Sequence, residues 1–272
     1  MGREIALNMT KPGMEDWLSD QEAFVLAYSG HFHEAKSKAE HAVEIARQAS
    51  QRDRAALWET GLALWEALFG YKTAGKTAME ALALSRSRDV EYGAAFALAL
   101  SGQSLPGQLN SGQLMESRRL ADDLVKRFPE DTAVKTSYLP VLRALPALKT
   151  APAKAIAILQ DAGPYELGTP PSSVLGFFGN LYPVYVRGLA FLSAGQGTEA
   201  VAEFRKIISH RNIAVSDPIG ALAHLQLGRA LVLARDTTGA KTAYRDFFKL
   251  WETADNDIPI LKDARAQYNG LQ

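Results

Sequence analysis

The sequence predicts an all-α fold, about six pairs of antiparallel helices followed by one closing helix. Three observations predict it. Apolar residues recur at helical spacing, as in residues 56–69, ALWETGLALWEALF, where Trp58, Leu62, Trp65 and Phe69 fall at steps of four, three and four. A strand would alternate instead. Small residues stand at matching places in successive segments, which lets paired helices approach closely while larger side chains fill the gaps. Glycines punctuate the segments where turns are needed.

The pairs follow in order. The first has a helix ending AFVLAYSG around Gly30, a turn, and a second helix with Ala35, Ala39 and Ala42 on one face. The second pair turns at Gly70, after which Ala74, Ala78, Ala81 and Leu82 continue a helical stripe. A third places residues 92–101 in its first helix and 120–128 in its second. A fourth runs from Tyr138 through Ala155, Leu159 and Ala162; Pro140 and Pro146 fall where its first helix should run, so a kink or split and a bend in the stack are expected there. The fifth is RGLAFLSAGQGTEAVAEF around Gly195 and the sixth LQLGRALVLARDTTGAKTAY around Asp236. Residues 258–268 supply the closing helix, and one domain uses residues 1–272. Residues 102–112, GQSLPGQLNSG, read as an inserted surface loop.

Composition narrows the function classes. Thirty basic residues balance thirty acidic ones, so no global field draws nucleic acid or an anionic membrane. The chain has no cysteine and therefore no disulfide framework, thiol nucleophile or thiolate metal site. No apolar run is long enough to span a membrane, and the N-terminus lacks the apolar block of a signal peptide.

The repeat resembles the tetratricopeptide repeat, in which a small residue sits mid-way along the first helix, a glycine marks the turn and alanines line the second helix. Copies aligned on that alanine centre on Ala35, Ala74, Ala155, Ala200 and Ala240. The steps from 35 to 74 and from 200 to 240 are 39 and 40 residues, longer than the family's usual unit of about 34. The resemblance implies a right-handed α-solenoid. The stretches KPGMEDW, KRFPEDT, PYELG, LYPVYVRG, DPIGALAHLQLGRA and DIPILKDA also look like the C-terminal repeat region of large bacterial transmembrane serine/threonine kinases. Similar regions follow winged-helix regulators. This resemblance implies a sensor or docking module of a larger signalling protein, extracytoplasmic when attached to such a kinase and cytoplasmic otherwise. The kinase's own signatures are absent, with no V-A-I-K, H-R-D or D-F-G element.

The chemistry-bearing motifs each have a structural reading. Residues 70–77, GYKTAGKT, match the phosphate-loop pattern G-x-x-x-x-G-K-[ST], but that loop needs a strand before it, and a helical stripe leads into Gly70. No nucleotide site at Lys76 is therefore expected. His31 and His33 stand two apart at a turn, a spacing one helix cannot aim at a single metal; His224 reads as a hydrogen-bonded structural residue. Asp122, Asp123 and Glu199 read as solvated, and Asp217 and Asp257 as helix N-cap residues ahead of prolines. No catalytic residue, cofactor or metal is expected.

What remains is the concave face of the stack. In the family that groove takes an extended peptide or a partner helix. Its positions fall on Trp17, Phe24, Tyr28, Glu59, Glu66, Tyr92, Phe96, Tyr182, Tyr185 and Arg229. Protein or peptide binding is the leading expectation. An oligomerisation or spacer role is the alternative, and small-ligand sensing beneath the 102–112 loop a third.

Overall fold

A computed structural model describes residues 13–102, 111–168 and 181–271, and among them every regular element is helical. The first three pairs are α1 (Glu15–Tyr28) with α2 (Phe32–Gln48), α3 (Arg52–Phe69) with α4 (Ala74–Leu84), and α5 (Arg88–Ser101) with α6 (Ser111–Arg127). The fourth pair begins with a π-helical turn, Val134–Tyr138, continues as α7 (Leu139–Ala144) and a 3-10 turn (Leu145–Ala147), and is completed by α8 (Pro152–Gln160). Then come α9 (Leu181–Ser193) with α10 (Gly197–Ser209), a short α11 (Arg211–Ala214), α12 (Pro218–Leu233) with α13 (Thr237–Leu250), and the closing α14 (Pro259–Asn269). Each first helix packs on its own second helix, and that second helix on the first helix of the next pair.

Local chemistry accounts for the boundaries. The turn after α1 is closed by two backbone bonds, Gly30 N–H to the Ala27 carbonyl and His31 N–H to the Leu26 carbonyl, with Gly30 at φ +80. This is the Schellman arrangement, which needs a left-handed residue. The same bond pair recurs after α3, α9 and α12, where the left-handed residue is Gly70, Gly195 and, in the last case, Arg235. The carboxylates of Asp217 and Asp236 accept N–H bonds at the N-termini of α12 and α13. Asp257 differs from the expectation: the N-cap position of α14 is Ile258, and Asp257 faces His33 instead. The split in pair four has its cause in Pro140. Proline cannot donate to the carbonyl four residues back and its ring crowds it, so the backbone widens to an i+5 bond, Leu139 N–H to the Val134 carbonyl. Of the expected inserted loop, residues 103–110 lie outside the described residues, while Ser111 and Gly112 already belong to α6.

Packing rests on small residues. Ala35, Ala39, Ala42, Ala74, Ala78, Ala200 and Ala240 are fully buried between paired helices. Gly188 lies under the ring of Phe204 and Gly228 under Tyr244, where an added methyl would come within 2.6 Å and 2.8 Å of the ring. One continuous apolar core runs from α1 to α14.

The two ends of the array meet. Helix α12 touches α1, with Gly220 against Tyr28, and α14 touches α3. The Trp251 indole N–H donates to the Tyr28 carbonyl at 2.9 Å, its ring stands edge-on to Phe69 at 5.2 Å, and Asp255 N–H donates to the Gly30 carbonyl at 3.0 Å. A methyl on Gly30 would fall 2.6 Å from the Ala254 Cβ and 2.8 Å from the Trp251 ring. Gly30 therefore serves twice, as a left-handed turn residue and as the floor beneath Trp251. We predict that Gly30→Ala lowers stability by about 3 kcal/mol, the sum of overpacking and left-handed strain, whereas Arg235→Gly raises it by about 0.5–1 kcal/mol. Thermal and urea denaturation followed by circular dichroism check both signs.

Candidate functional site

The first helices of the pairs present a shared inner face. Two contacts fix the register of α1 against α3: the Asp16 carboxylate accepts from Arg54 Nη2 at 3.0 Å and Trp58 Nε1 at 3.1 Å, and Phe24 stands edge-on to Trp65 at 4.8 Å. The two helices therefore run in the same direction. Farther round, Tyr92 stacks on Tyr138 at 3.8 Å, Phe96 meets Tyr182 edge-on at 5.3 Å, the Tyr182 hydroxyl donates to the Asp217 carboxylate at 3.0 Å, and Gln226 Nε2 donates to the Tyr185 hydroxyl at 3.3 Å. Arg229 continues the line through bonds to Gln226 and Gln267. Aromatic side chains of successive first helices thus pack in one buried layer that also holds the carboxylates of Asp16 and Asp217.

The groove positions read from the sequence divide into three groups. Phe24, Tyr92, Phe96, Tyr182 and Tyr185 do come together on the inner face, but all five are buried, engaged with one another or with neighbouring first helices. Trp17, Tyr28 and Arg229 are half-buried at its margins. Glu59 and Glu66 are elsewhere: the buried Glu66 accepts from Lys36 Nζ on α2 at 3.2 Å and from the Thr77 hydroxyl on α4 at 2.6 Å, and Glu59 is surrounded by Glu40, Arg47, Glu66 and Glu80. Both belong to the seam between the second helices α2 and α4. The stripe of Trp58, Leu62 and Trp65 lies about a quarter-turn round the helix from both glutamates, and its buried side chains face the neighbouring first helices.

Electrostatics mark several buried acids. Burial pushes the Asp217 carboxyl up to about 7, against the lowering effect of its bonds from Ile219 N–H and Tyr182. Glu59 is pushed up to about 7 by burial and then by the carboxylates around it, and Glu91 also to about 7, chiefly by burial. Asp20, fully buried, is held well above its ordinary range by burial and by Asp16. Among the described residues neither oxygen of the Asp20 carboxyl meets a partner in hydrogen-bond geometry, the Gln21 side chain offsetting only part of the upward shift, and the buried Trp65 indole N–H has no partner either. By contrast Arg187, also buried, is saturated: it bonds Glu166 at 2.8 Å, Glu203 at 2.7 Å and the Leu159 carbonyl at 3.0 Å, with Lys206 closing the network onto Glu166. That network ties the PYELG stretch to pair five.

Sequence reasoning missed Asp16, Asp20, Arg187 and their partners. The signal was present for α1: Asp16, Asp20 and Phe24 are spaced four apart and share the buried face of that helix.

The phosphate-loop match folds as helix–turn–helix. Gly70 ends α3, Gly75, Lys76 and Thr77 lie within α4, Lys76 pairs with Glu80 at 3.5 Å on an exposed face, and the Glu66 carboxylate occupies the Thr77 hydroxyl. His31 and His33 bond Thr253 and Asp257 where the ends meet. His224 is half-buried, and burial lowers its basicity; among the described residues it makes no side-chain hydrogen bond, unlike the expectation. No cluster of three metal-ligating side chains occurs among the described residues, and no described helix is long and apolar enough to cross a membrane. No protein-family model matches the sequence, and neither does any curated protein.

The raised carboxyl at Asp217 has a pH consequence. Folded protein keeps that proton to about pH 7, whereas the unfolded chain loses it near 3.9. Its contribution is therefore fully present below the unfolded value and is lost as pH rises through the folded one. We predict a stability loss on the order of 3 kcal/mol from this group between pH 4 and 8, with Glu59, Glu91 and Asp20 acting in the same direction. Urea titrations at pH 5.5 and 8 on the native chain and on Asp217→Asn should show a flatter pH slope in the variant.

Proposed function

We propose that this chain is a non-catalytic binding module built from tetratricopeptide-like helix pairs in a right-handed array, and that its inner face receives a protein or peptide partner of a larger signalling protein. One observation carries this reading. The inner layer holds a polar group that the packing does not use: Asp20, buried with no hydrogen-bond partner among the described residues, lies in the same layer of first helices as Trp58, Trp65, Tyr92, Tyr138, Tyr182 and Tyr185, whereas Asp16 and Asp217 are paired within the fold. A surface chosen only for cohesion would be apolar there, because burying a carboxylate costs several kcal/mol unless it is fully paired. Aromatic rings with polar edges beside carboxylates are what partner recognition uses.

The resemblance to kinase C-terminal regions supplies the setting. In that setting the module docks or senses a partner and leaves chemistry to a separate domain. A role confined to assembling copies of the chain is separated by light scattering, which shows a concentration-independent monomer when docking is the function.

A peptide array probed with the 272-residue chain tests the reading. Trp17 and Arg229, half-buried at the margins of the inner face, are the residues to alter. At least one peptide should bind with micromolar affinity, weaken tenfold or more with Trp17→Ala or Arg229→Glu, and be unaffected by Glu199→Ala on the exposed side of α10. An array in which every bound peptide ignores both inner-face changes contradicts it.

A further inference from the structure

The joint between pairs five and six, residues 210–217, combines two features that a packed turn does not need. Val215 holds φ 49 and ψ −108, a left-handed region that a β-branched residue enters only under strain, and strain of this kind collects at clamps and switches. Its side chain is 60% exposed, so packing does not offset that strain. Two residues on, the Asp217 carboxyl is buried, accepting from Ile219 N–H at 3.0 Å and from the Tyr182 hydroxyl at 3.0 Å. The titratable groups that face it are Tyr182 and Tyr185 on α9 and Tyr92 on α5, whereas Arg211 of α11 faces Tyr28 of α1. No charged side chain among the described residues acts on it, and residues 103–110 and 169–180 contain none. An ionised carboxylate here lacks the counter-charge that would hold it out of water.

The joint also sets how α12 meets the first pair. A Cβ on Gly220 would lie 3.2 Å from the Tyr28 ring and 3.4 Å from the Ala214 Cβ, so α1, the end of α11 and the first turn of α12 meet at one point. Gly220 N–H donates to the Asp217 carbonyl at 2.9 Å. Ser216 is half-buried and Val215 exposed, so a rearrangement confined to the joint brings the carboxyl to solvent without unfolding a helix.

We propose that residues 214–217 form a proton-operated switch: with Asp217 neutral the joint seats the first turn of α12 on Tyr182 and Tyr28, and with Asp217 ionised it relaxes at Val215, turns the carboxylate to water and unseats that turn. One of the contacts that join the last pair to the first thereby comes under the control of pH. The switch stands without the reading of the inner face as a binding surface. Its sign follows from burial. The seated joint keeps the Asp217 proton to about 7, and a carboxyl in water loses it near about 3.9. Seating is therefore complete below the ordinary value and weakens as pH rises toward the folded one, by up to about tenfold per pH unit, levelling off above it.

The test is hydrogen exchange on the full chain by NMR, with the Asp217 carboxyl carbon titrated in the same samples. The amides of Ile219 and Gly220 report the first turn of α12. From pH 5 to 7.5 their opening constant, corrected for the intrinsic exchange rate, should rise tenfold or more with little dependence on urea, the mark of a local event. Asp217→Asn should remove the rise, while the exposed Asp263→Asn keeps it. Val215→Gly, which removes strain from the seated joint, should lower the opening severalfold and keep its pH slope. Four outcomes overturn the switch, whether or not Asp217→Asn folds. They are a pH-independent opening in the native chain, exchange at these amides only through urea-dependent global unfolding, an opening that Val215→Gly leaves unchanged or raises, and titration of Asp217 near its ordinary value, as a cation from Arg3 or Lys11 would produce.

Discussion

Trp251 stands where the last helix pair meets the first, and the closure of the described helices depends on that contact. Its ring covers the Gly30 turn, its indole N–H takes a backbone carbonyl of α1, and its edge meets Phe69 at the end of α3. Asp255 and His33 add backbone and side-chain bonds at the same place. Stacked helix pairs normally leave two flanks that must be made polar or covered. Here the last pair covers the first. The first helices also meet across the array, Phe96 of α5 reaching Tyr182 of α9 past the intervening pair, and the aromatic residues there are buried.

The pair boundaries were legible because they depend on local chemistry. Buried alanines at helical spacing mark the second helices, left-handed glycines mark the ends of α1, α3 and α9, and Pro140 and Pro146 mark the split in pair four. Closure was not legible. It joins residues more than two hundred positions apart, largely through the backbone carbonyls of Tyr28 and Gly30, and main-chain acceptors leave no trace in side-chain periodicity. The inner face was legible in part. Phe24, Tyr92, Phe96, Tyr182 and Tyr185 share it, whereas Glu59 and Glu66 were taken from the same helix without respecting its faces. They lie little more than a quarter-turn from Trp58 and Trp65, about 100° for one residue, and that difference decides whether a side chain looks inward or into the next seam.

A formal net charge of zero conceals how charges are placed. Seams within and between pairs carry acids that meet cations from a neighbouring helix or turn: Glu66 with Lys36, Glu91 with Arg127 and Arg86, Glu166 and Glu203 with Arg187. Removing a charge from water costs several kcal/mol, and a second charge offsets that only at close range and with its remaining donors occupied. Arg187 meets that condition, with two carboxylates and one carbonyl in place. These pairs add little net stability over an apolar seam, but they exclude wrong registers, because a one-residue slip would strand each buried charge. Repeats as alike as these need such a device, since their alanine faces alone would tolerate sliding.

Helix α1 connects the two features of most consequence. Its C-terminal end, at Tyr28 and Gly30, carries the closure contacts, and its middle, at Asp16, Asp20 and Phe24, carries the acids and ring that face α3. That helix of fourteen residues is thus held at two places along its length, so the contacts at Trp251 and those of Asp16 and Phe24 with α3 together fix one rod in the fold.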